Sequence, residues 1–547
     1  MAELPYSYAN FGLLREIAFV ILISCAQLFT QACLAQTIVA VDTIGDFFDI
    51  TSPGVLSWFT ASFSLTVGTF ILPAGRWGDV YGTRRLFIIG YGWFAIASLI
   101  TGFAAYCSSA ILFHVFRALQ GLGPAILMPN GLALLGRTYP NGTSRKNMVF
   151  CIFGASAPVG FVLGALMMSV FSEFVWWPWS FWWMAASLAV CFVACIIVIP
   201  RELDIVKRFD FHASDGHLAP SKFMQIILEL DVAGTILGVG GLVLINVGLN
   251  QAPSVGWKTS PGDTIVLLII GVLLFVAFVF CELHSLTRFP IVPFRDLSAN
   301  TAMVFACVAL GWSSFGIWMY YYWLFSLNLR HHSALVTTAT QAPTAVAGAC
   351  AALLTGYLLG IMSPRKVILC AMVFFTIGNV LMGTTPVDQS YWFQSFWSVI
   401  VTPFGMDMSF PSGTIILSDS MPHHYQGLAA SLIGTVVNYS IALGLGIAGS
   451  VEENRDPDAT KLLVGYRAAW YVAMGLSGFG IVIGIIFAAA GHEDSEDEIY
   501  ETVSHHHQYE HEQEEKEHAE RAAAAAAKAE ESADVEKGAA YKRDIHI

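Results

Sequence analysis

Two ionisable side chains sit inside apolar runs, where charge is costly: Arg117 in FRALQGLGPA and Asp407 in TPFGMDMSFPSG. Each adds about 2.5–3.5 kcal/mol to the insertion of its segment, so a role is expected of it. A carboxyl group such as Asp407 can hold a proton while facing one side of a membrane and release it while facing the other. The plainer alternatives are a bond to a neighbouring helix for Asp407 and a helix-to-helix clamp for Arg117. A denser group of charges, GRWGDVYGTRR, runs from Gly75 to Arg85 between two apolar runs. Glycines at 75, 78 and 82 permit a tight backbone there. Asp79 can meet a helix N-terminus or a basic neighbour, and Arg84 and Arg85 can meet anionic headgroups or an acidic partner.

Uncharged polar residues give a weaker signal. Gln27 and Gln31 are four apart and share one helix face, with Gln36 on a neighbouring face. Asn130, Asn246, Gln341, Asn379 and Asn438 are further candidates for lining a cavity, with helix-to-helix hydrogen bonding as the alternative. Trp312, Trp318, Tyr320, Tyr321, Tyr322 and Trp323 crowd one run. They form either an aromatic belt at the membrane surface or a stacking surface for an organic solute. Asp231 and Glu282 fall at the ends of runs, where capping or snorkelling explains them. No nucleophile–base pair, phosphate loop or metal cluster occurs, so an enzyme, a cofactor and a metal centre are not expected. The ten cysteines lie mostly in apolar runs without a CxxC, and Cys191 and Cys195 read as small buried hydrophobes.

These residues must be held by elements, and composition says which. The chain has 547 residues, of which 56% are hydrophobic and 12% charged; soluble domains carry about 25% charged. A bilayer core takes about 20 apolar residues per helix. Fourteen runs qualify: 16–40, 56–75, 86–105, 109–135, 147–170, 177–199, 231–250, 264–282, 303–327, 337–360, 366–383, 392–416, 427–450 and 466–489. An even number puts both termini on one side. With the N-terminus inside, inner loops carry fourteen Lys and Arg and outer loops four (Lys258, Arg330, Arg455 and Lys461), so both termini are expected to be cytoplasmic. Of the net charge of −13, −11 comes from the 17 acidic and 6 basic residues after position 490. That tail, rich in Glu, His and Ala, reads as solvated and dispensable, with a metal site at His505–His507 and His511 the less favoured reading. No basic footprint for nucleic acid is present. The triplets at Asn141 and Asn438 fall in an inner loop and inside a run, so neither is expected to be glycosylated.

A repeat organises the runs. Gly75 precedes Arg84-Arg85 by nine and ten residues, and Gly356 precedes Arg365-Lys366 by the same spacing, 281 positions later. That offset pairs runs one to six with runs nine to fourteen. The expected plan is an all-α polytopic protein of two six-helix bundles, 16–199 and 301–490. A short N-terminus at 1–15 precedes them, a loop with two linker helices (231–250 and 264–282) fills 200–300, and the tail takes 491–547. Parallel repeats with a site between the halves are a known plan of secondary transporters. Pro158, with glycines at 160 and 164, gives a helix that bends and packs closely on a neighbour; Gly444, Gly446 and Gly449 echo it.

The motifs resemble the major facilitator superfamily. Gly75, Asp79, Gly82 and Arg84 fit its motif between helices 2 and 3, although Val80 and Thr83 replace basic residues. Arg117, Gln120 and Gly121 match its helix-4 motif, and GASAPVGFVLG (Gly154, Pro158, Gly160, Gly164) resembles the helix-5 motif of its antiporters, with Ala157 for a glycine. Fourteen spans place the chain near the drug:proton antiporter branch. GMDMSFPSG and the stretch from Gln426 to Asn454 are closest to fungal members of the aminotriazole-resistance and low-affinity ammonium type. The resemblance implies a proton-coupled exporter of drugs, toxins or secondary metabolites, monomeric, in the plasma membrane or alternatively the vacuolar one. Its partners are then protons, a small-molecule substrate and the lipid bilayer. It gives Arg117 a part in proton transfer and makes Gly75–Arg85 a lock that latches the outward-facing state. One departure stands: LAQTIVAV has Ala35 where the branch has a helix-1 acid. A facilitator or importer of ammonium or borate is the alternative, and a non-transporting sensor or scaffold the third.

Overall fold

The computed structural model describes residues 12–139, 144–203, 230–255, 261–284, 291–292, 294–296, 299–419, 426–456 and 461–490. The expected tail at 491–547, the loop cations Lys207, Arg208, Lys222 and Arg288, and the Asn141 triplet lie outside the described residues. The described residues up to Ile485 form one compact unit. Among the described residues every regular element is helical. The helices are α1 (Leu13–Val39), α2 (Val41–Phe47), α3 (Pro53–Tyr81), α4 (Thr83–Phe103), α5 (Ala110–Thr138), α6 (Ser144–Phe174) and α7 (Pro178–Val198). They continue with α8 (Val232–Val255), α9 (Pro261–Leu283), α10 (Ala299–Leu324), α11 (Ala334–Gln341), α12 (Pro343–Leu358), α13 (Pro364–Gly383), α14 (Gln394–Asp419) and α15 (Gln426–Arg455). The last, α16, is Leu462–Ala490.

Twelve of these helices are long and apolar enough to cross a membrane. Of the fourteen expected runs, 337–360 is divided at Ala342 into α11 and α12, each too short alone. Pro343 begins the second helix, where its missing N–H is tolerated. The run at 392–416 forms α14, but Asp407, two prolines and several serines make it too polar. Elsewhere the outer faces are apolar: Leu14 is 84% exposed, Ile197 71% and Val190 70%. That coat suits hydrocarbon and would be a liability in water.

Local signals set the boundaries. Ser109 Oγ accepts a hydrogen bond from the Leu112 N–H at the start of α5, and Ser333 Oγ from the Val336 N–H at the start of α11. The stretch Gly75–Tyr81, expected as a loop, is the last two turns of α3. The link to α4 is a single residue, Gly82, at φ 103°, a backbone conformation that penalises any side chain.

In the first half α1 packs on α6, α3 on α5, and α4 on α5 and α7; in the second, α10 packs on α15, and α14 on α12 and α13. The pair α8–α9 is inserted, with α8 against α3 and α15. The halves meet where α3 crosses α15 and α6 crosses α12. These crossings repeat in detail. A methyl at Gly68 would lie 2.7 Å from the Tyr439 amide nitrogen, and one at Gly348 would strike Pro158. Gly68 and Gly348 are 280 positions apart, Pro158 and Tyr439 281. Inside each half, Gly164 lies on the Ala32 backbone and Gly444 on that of Ser313, again 280 and 281 apart. The offset of the charged loops is therefore the offset of the packing.

Candidate functional site

The site grows from three places along the seam. In the first half, α5 carries Arg117 into a dry node where all five of its hydrogen bonds go to neutral acceptors. Nε donates to the Phe59 carbonyl at 3.1 Å, and Nη1 donates to Gln120 Oε1 at 2.6 Å and Cys33 Sγ at 3.0 Å. Nη2 donates to the Cys33 carbonyl and Thr37 Oγ1, both at 3.1 Å. The guanidinium also lies 4.7 Å from the centroid of the Phe63 ring. Gln120 continues the network by donating from Nε2 to Ser98 Oγ at 2.8 Å. The fork thus joins α1, α3, α4 and α5, using the geometry that arginine has and lysine lacks. Ala35, buried on α1, offers it no carboxylate.

Between the halves is a small cavity of about 20 Å³ whose lining includes Gln31, Pro158, Phe315, Trp318, Gln341 and Met406. That is room for about one water molecule. Gln341 Oε1 accepts from Thr344 Oγ1 at 3.0 Å, while its buried Nε2 has no hydrogen-bond partner among the described residues. Asp407 follows Met406 on α14. Its Oδ2 is buried and, among the described residues, without a hydrogen-bond partner, and lies 3.3 Å from where a methyl on Gly348 would stand. The carboxyl therefore faces the α6–α12 crossing, beside Pro158. Arg117 and Asp407 do not meet, since the partners of Arg117 all belong to the first half.

Further contacts gather at the two ends. At the Gly82 end, Asp79 Oδ1 pairs with Arg137 Nη2 at 3.0 Å, and Arg137 Nη1 donates to Thr83 Oγ1 at 2.8 Å. This ties the tip of α3 to the tip of α5 across the Gly82 link. Arg84 reaches another way, donating to the Ile199 carbonyl at 2.9 Å, and Arg85 is exposed. Gly75 faces α15, a methyl there falling 3.2 Å from Ser431 Oγ. At the opposite end Leu335 N–H donates to Glu173 Oε1 at 2.6 Å, and Ser169 and Thr338 hydroxyls lie 2.7 Å apart. There too the Asn328 side chain bonds to Asp42 of α2 and donates to Tyr466 Oη at 3.1 Å. Burial, then the neighbouring Asp46, pushes the Asp42 carboxyl up to about 6, against the pull of Asn328.

A family model of the Major Facilitator Superfamily matches residues 17–445 and again 301–508. The chain belongs to the major facilitator superfamily. Its relatives include the "Low affinity ammonium transporter" of Saccharomyces cerevisiae, 48% identical over 90% of this chain and 92% of that protein. "Efflux pump terJ" of Aspergillus terreus is 42% identical, with coverage of 86% and 88%. The "Aminotriazole resistance protein" of Saccharomyces cerevisiae is 36% identical, with coverage of 86% and 84%. Among solved structures, a POT family transporter in complex with a thioalcohol-conjugated peptide aligns at TM-score 0.62 and 14% identity, over 88% of this chain and 96% of that one. At that identity the likeness speaks for the superfamily fold alone.

Within that fold the expected residues separate. Gln31 and Gln341 line the cavity; Gln27, Asn130, Asn246 and Asn438 do not. Asn130 fills the space beside Gly78 and donates to the Ala74 carbonyl at 3.3 Å, supporting the tip of α3. Asn246 Oδ1 accepts from Asn250 Nδ2, which also donates to the Ala442 carbonyl, so this pair docks α8 on α15. Asn438 bonds its own helix at the Gly434 carbonyl. Gly160 and Gly164 press on the α1 backbone, Pro158 faces α12, and Gly154 faces open space. The aromatic run of α10 is interior and not a surface belt: Trp312, Trp318 and Tyr320 to Trp323 are all buried. Trp312 and Trp318 donate to Ser409 and Ser398 of α14 at 3.0 and 2.7 Å. Asp42 and Tyr466 carry no periodic or motif signal, and only their positions beside run ends could have pointed to them.

Proposed function

We propose that this chain is a proton-coupled exporter of small molecules that works by alternating access, with Asp407 as its proton carrier. The observation that carries the reading is the Asp407 carboxyl at the seam, with a buried Oδ2 that has no hydrogen-bond partner among the described residues, one residue from the lining of the central cavity. A carboxyl oxygen without a fixed partner can exchange a proton as the seam opens, whereas the fully engaged Arg117 serves to hold α1, α3 and α5 together. In this reading α11 and α12 jointly make a tenth crossing and α14 a twelfth. The chain then crosses fourteen times as two bundles, 16–199 and 301–490, with both termini cytoplasmic, in the plasma membrane and as a monomer. The Gly82 end is the cytoplasmic one, and Gly75, Asp79, Gly82 and Arg84 stiffen it as the lock. Efflux pumps among the relatives support export.

The test is transport in proteoliposomes with and without an imposed proton gradient. Asp407→Asn is expected to abolish gradient-driven accumulation while leaving equilibrative flux. Gradient-independent flux that the substitution does not change would overturn the coupling. It would favour the second reading, a facilitator of a small polar solute such as ammonium, which the 48% identical relative supports.

A further inference from the structure

At the Gly82 end of the first half, the tips of α1, α4 and α7 surround a pocket of about 350 Å³. All three helices are candidate membrane spans, so the pocket lies at the height where headgroups begin. Its lining includes Arg15, Arg84 and Arg201, with Ile196, Ile197 and Pro200, and no Asp or Glu among its described lining residues. Arg15 donates from Nε to the Val198 carbonyl at 2.9 Å; Arg84 donates from Nε to the Ile199 carbonyl at 2.9 Å and from Nη2 to the Ile196 carbonyl at 3.2 Å. These are last-turn carbonyls of α7, which have no partner within the helix. Anchoring there fixes the direction of both guanidinium forks. Arg201 stands exposed on the turn that follows. Three always-charged forks about one concavity match the geometry of phosphate oxygens.

The surroundings decide what carries the phosphate. Leu13 and Leu14, 68% and 84% exposed, precede Arg15 on α1, and Ile196 and Ile197 are 48% and 71% exposed on α7. A ligand seated between the arginines has apolar surface beside it on two helices, which suits acyl chains. We propose that this pocket binds the headgroup of an anionic phospholipid carrying a phosphate monoester, with its chains lying along α1 and α7. Occupancy fastens α7 to the α1 and α4 tips, next to the Asp79–Arg137 pair.

The experiment is native mass spectrometry of the full-length protein with phosphatidylinositol 4-phosphate or phosphatidylcholine of the same chains. The wild type is expected to retain the phosphoinositide in preference to phosphatidylcholine. Arg201→Gln, at an exposed position, is expected to weaken that retention about fivefold, and Arg15→Gln with Arg201→Gln on the order of 20-fold. Arg201→Gln serves as the safeguard should the double variant be poorly folded. Equal retention of the two lipids by the wild type, or unaltered phosphoinositide affinity in a monodisperse Arg201→Gln protein, would overturn the proposal. Soluble inositol phosphate competing as well as the lipid would overturn the lipid as the source and leave a free phosphate ester as the ligand.

Discussion

Arg117→Lys keeps the charge of the first-half node and removes its fork. The guanidinium makes five hydrogen bonds to acceptors on α1, α3 and its own helix. An ammonium has three donors, so at least two acceptors lose this partner. A buried acceptor left unpaired costs about 1–3 kcal/mol, which gives about 2–6 kcal/mol. Two of the five are helical carbonyls that keep their backbone bond, so the lower part of that range, about 2–4 kcal/mol, is expected. The planar face over Phe63 is lost as well. Cys33, Cys191, Cys195 and Cys307 are buried free thiols, so a thiol-reactive fluorogenic dye reports unfolding as a rise above the labelling of exposed Cys107 and Cys350, and Cys33 lies against the substituted side chain. The melting midpoint is expected to fall by several degrees, with reduced transport following from the looser bundle. An unchanged midpoint would refute the clamp, and if transport were lost all the same, the charge fork itself would be part of the transport step.

Asp79→Ala breaks an ion pair whose partners are 43% and 29% exposed, worth at most about 1 kcal/mol. Normal melting with slowed transport is expected, Arg137→Ala should match it, and a double variant should be no worse; normal transport rates would sink the lock. Gly444→Ala places a methyl 2.5 Å from the Ser313 carbonyl, so the α10–α15 crossing must part, at a cost of about 1–3 kcal/mol; an undiminished melting midpoint would contradict the crossing. Asp42 holds its proton up to about 6 when folded, above its ordinary value of 3.8. The folded state then binds the proton more tightly, so its contribution to stability grows as pH falls from about 6 towards 4 and is flat outside that window. Asp42→Asn should remove this slope from melting curves recorded across those pH values; an identical slope would show that Asp42 is not its source.

Much of this was legible because hydrocarbon imposes a simple rule on sequence, and the apolar runs locate the long helices, with most ends within a few residues. The charged stretch at Gly75–Arg85 misled, because glycines among charges look like a loop. Asn130 filling the space at Gly78, and Arg137 pairing with Asp79, let α3 run on to Tyr81. Those partners lie more than 50 residues away, beyond any local signal. The break at Ala342 was announced by Pro343, and the polarity of α14 by Asp407 and its prolines. Arg117 and Asp407 stood out as costly residues, yet nothing in their spacing told that one is fully engaged and the other not. That distinction depends on Cys33, Thr37 and Phe59 arriving from other helices, and on α12 bringing Gly348 to α14.

The paired crossings, Gly68–Tyr439 with Pro158–Gly348 and Gly164–Ala32 with Gly444–Ser313, give most positions in the first half a twin about 281 residues on. A saturation mutagenesis map of this chain can thus be folded upon itself. Where twins tolerate the same substitutions, the scaffold inherited by both copies is being measured. Where they diverge, as at Arg117 or Asp407, selection has acted on one copy alone. Subtracting one half of the map from the other would isolate those specialised positions without any knowledge of the cargo.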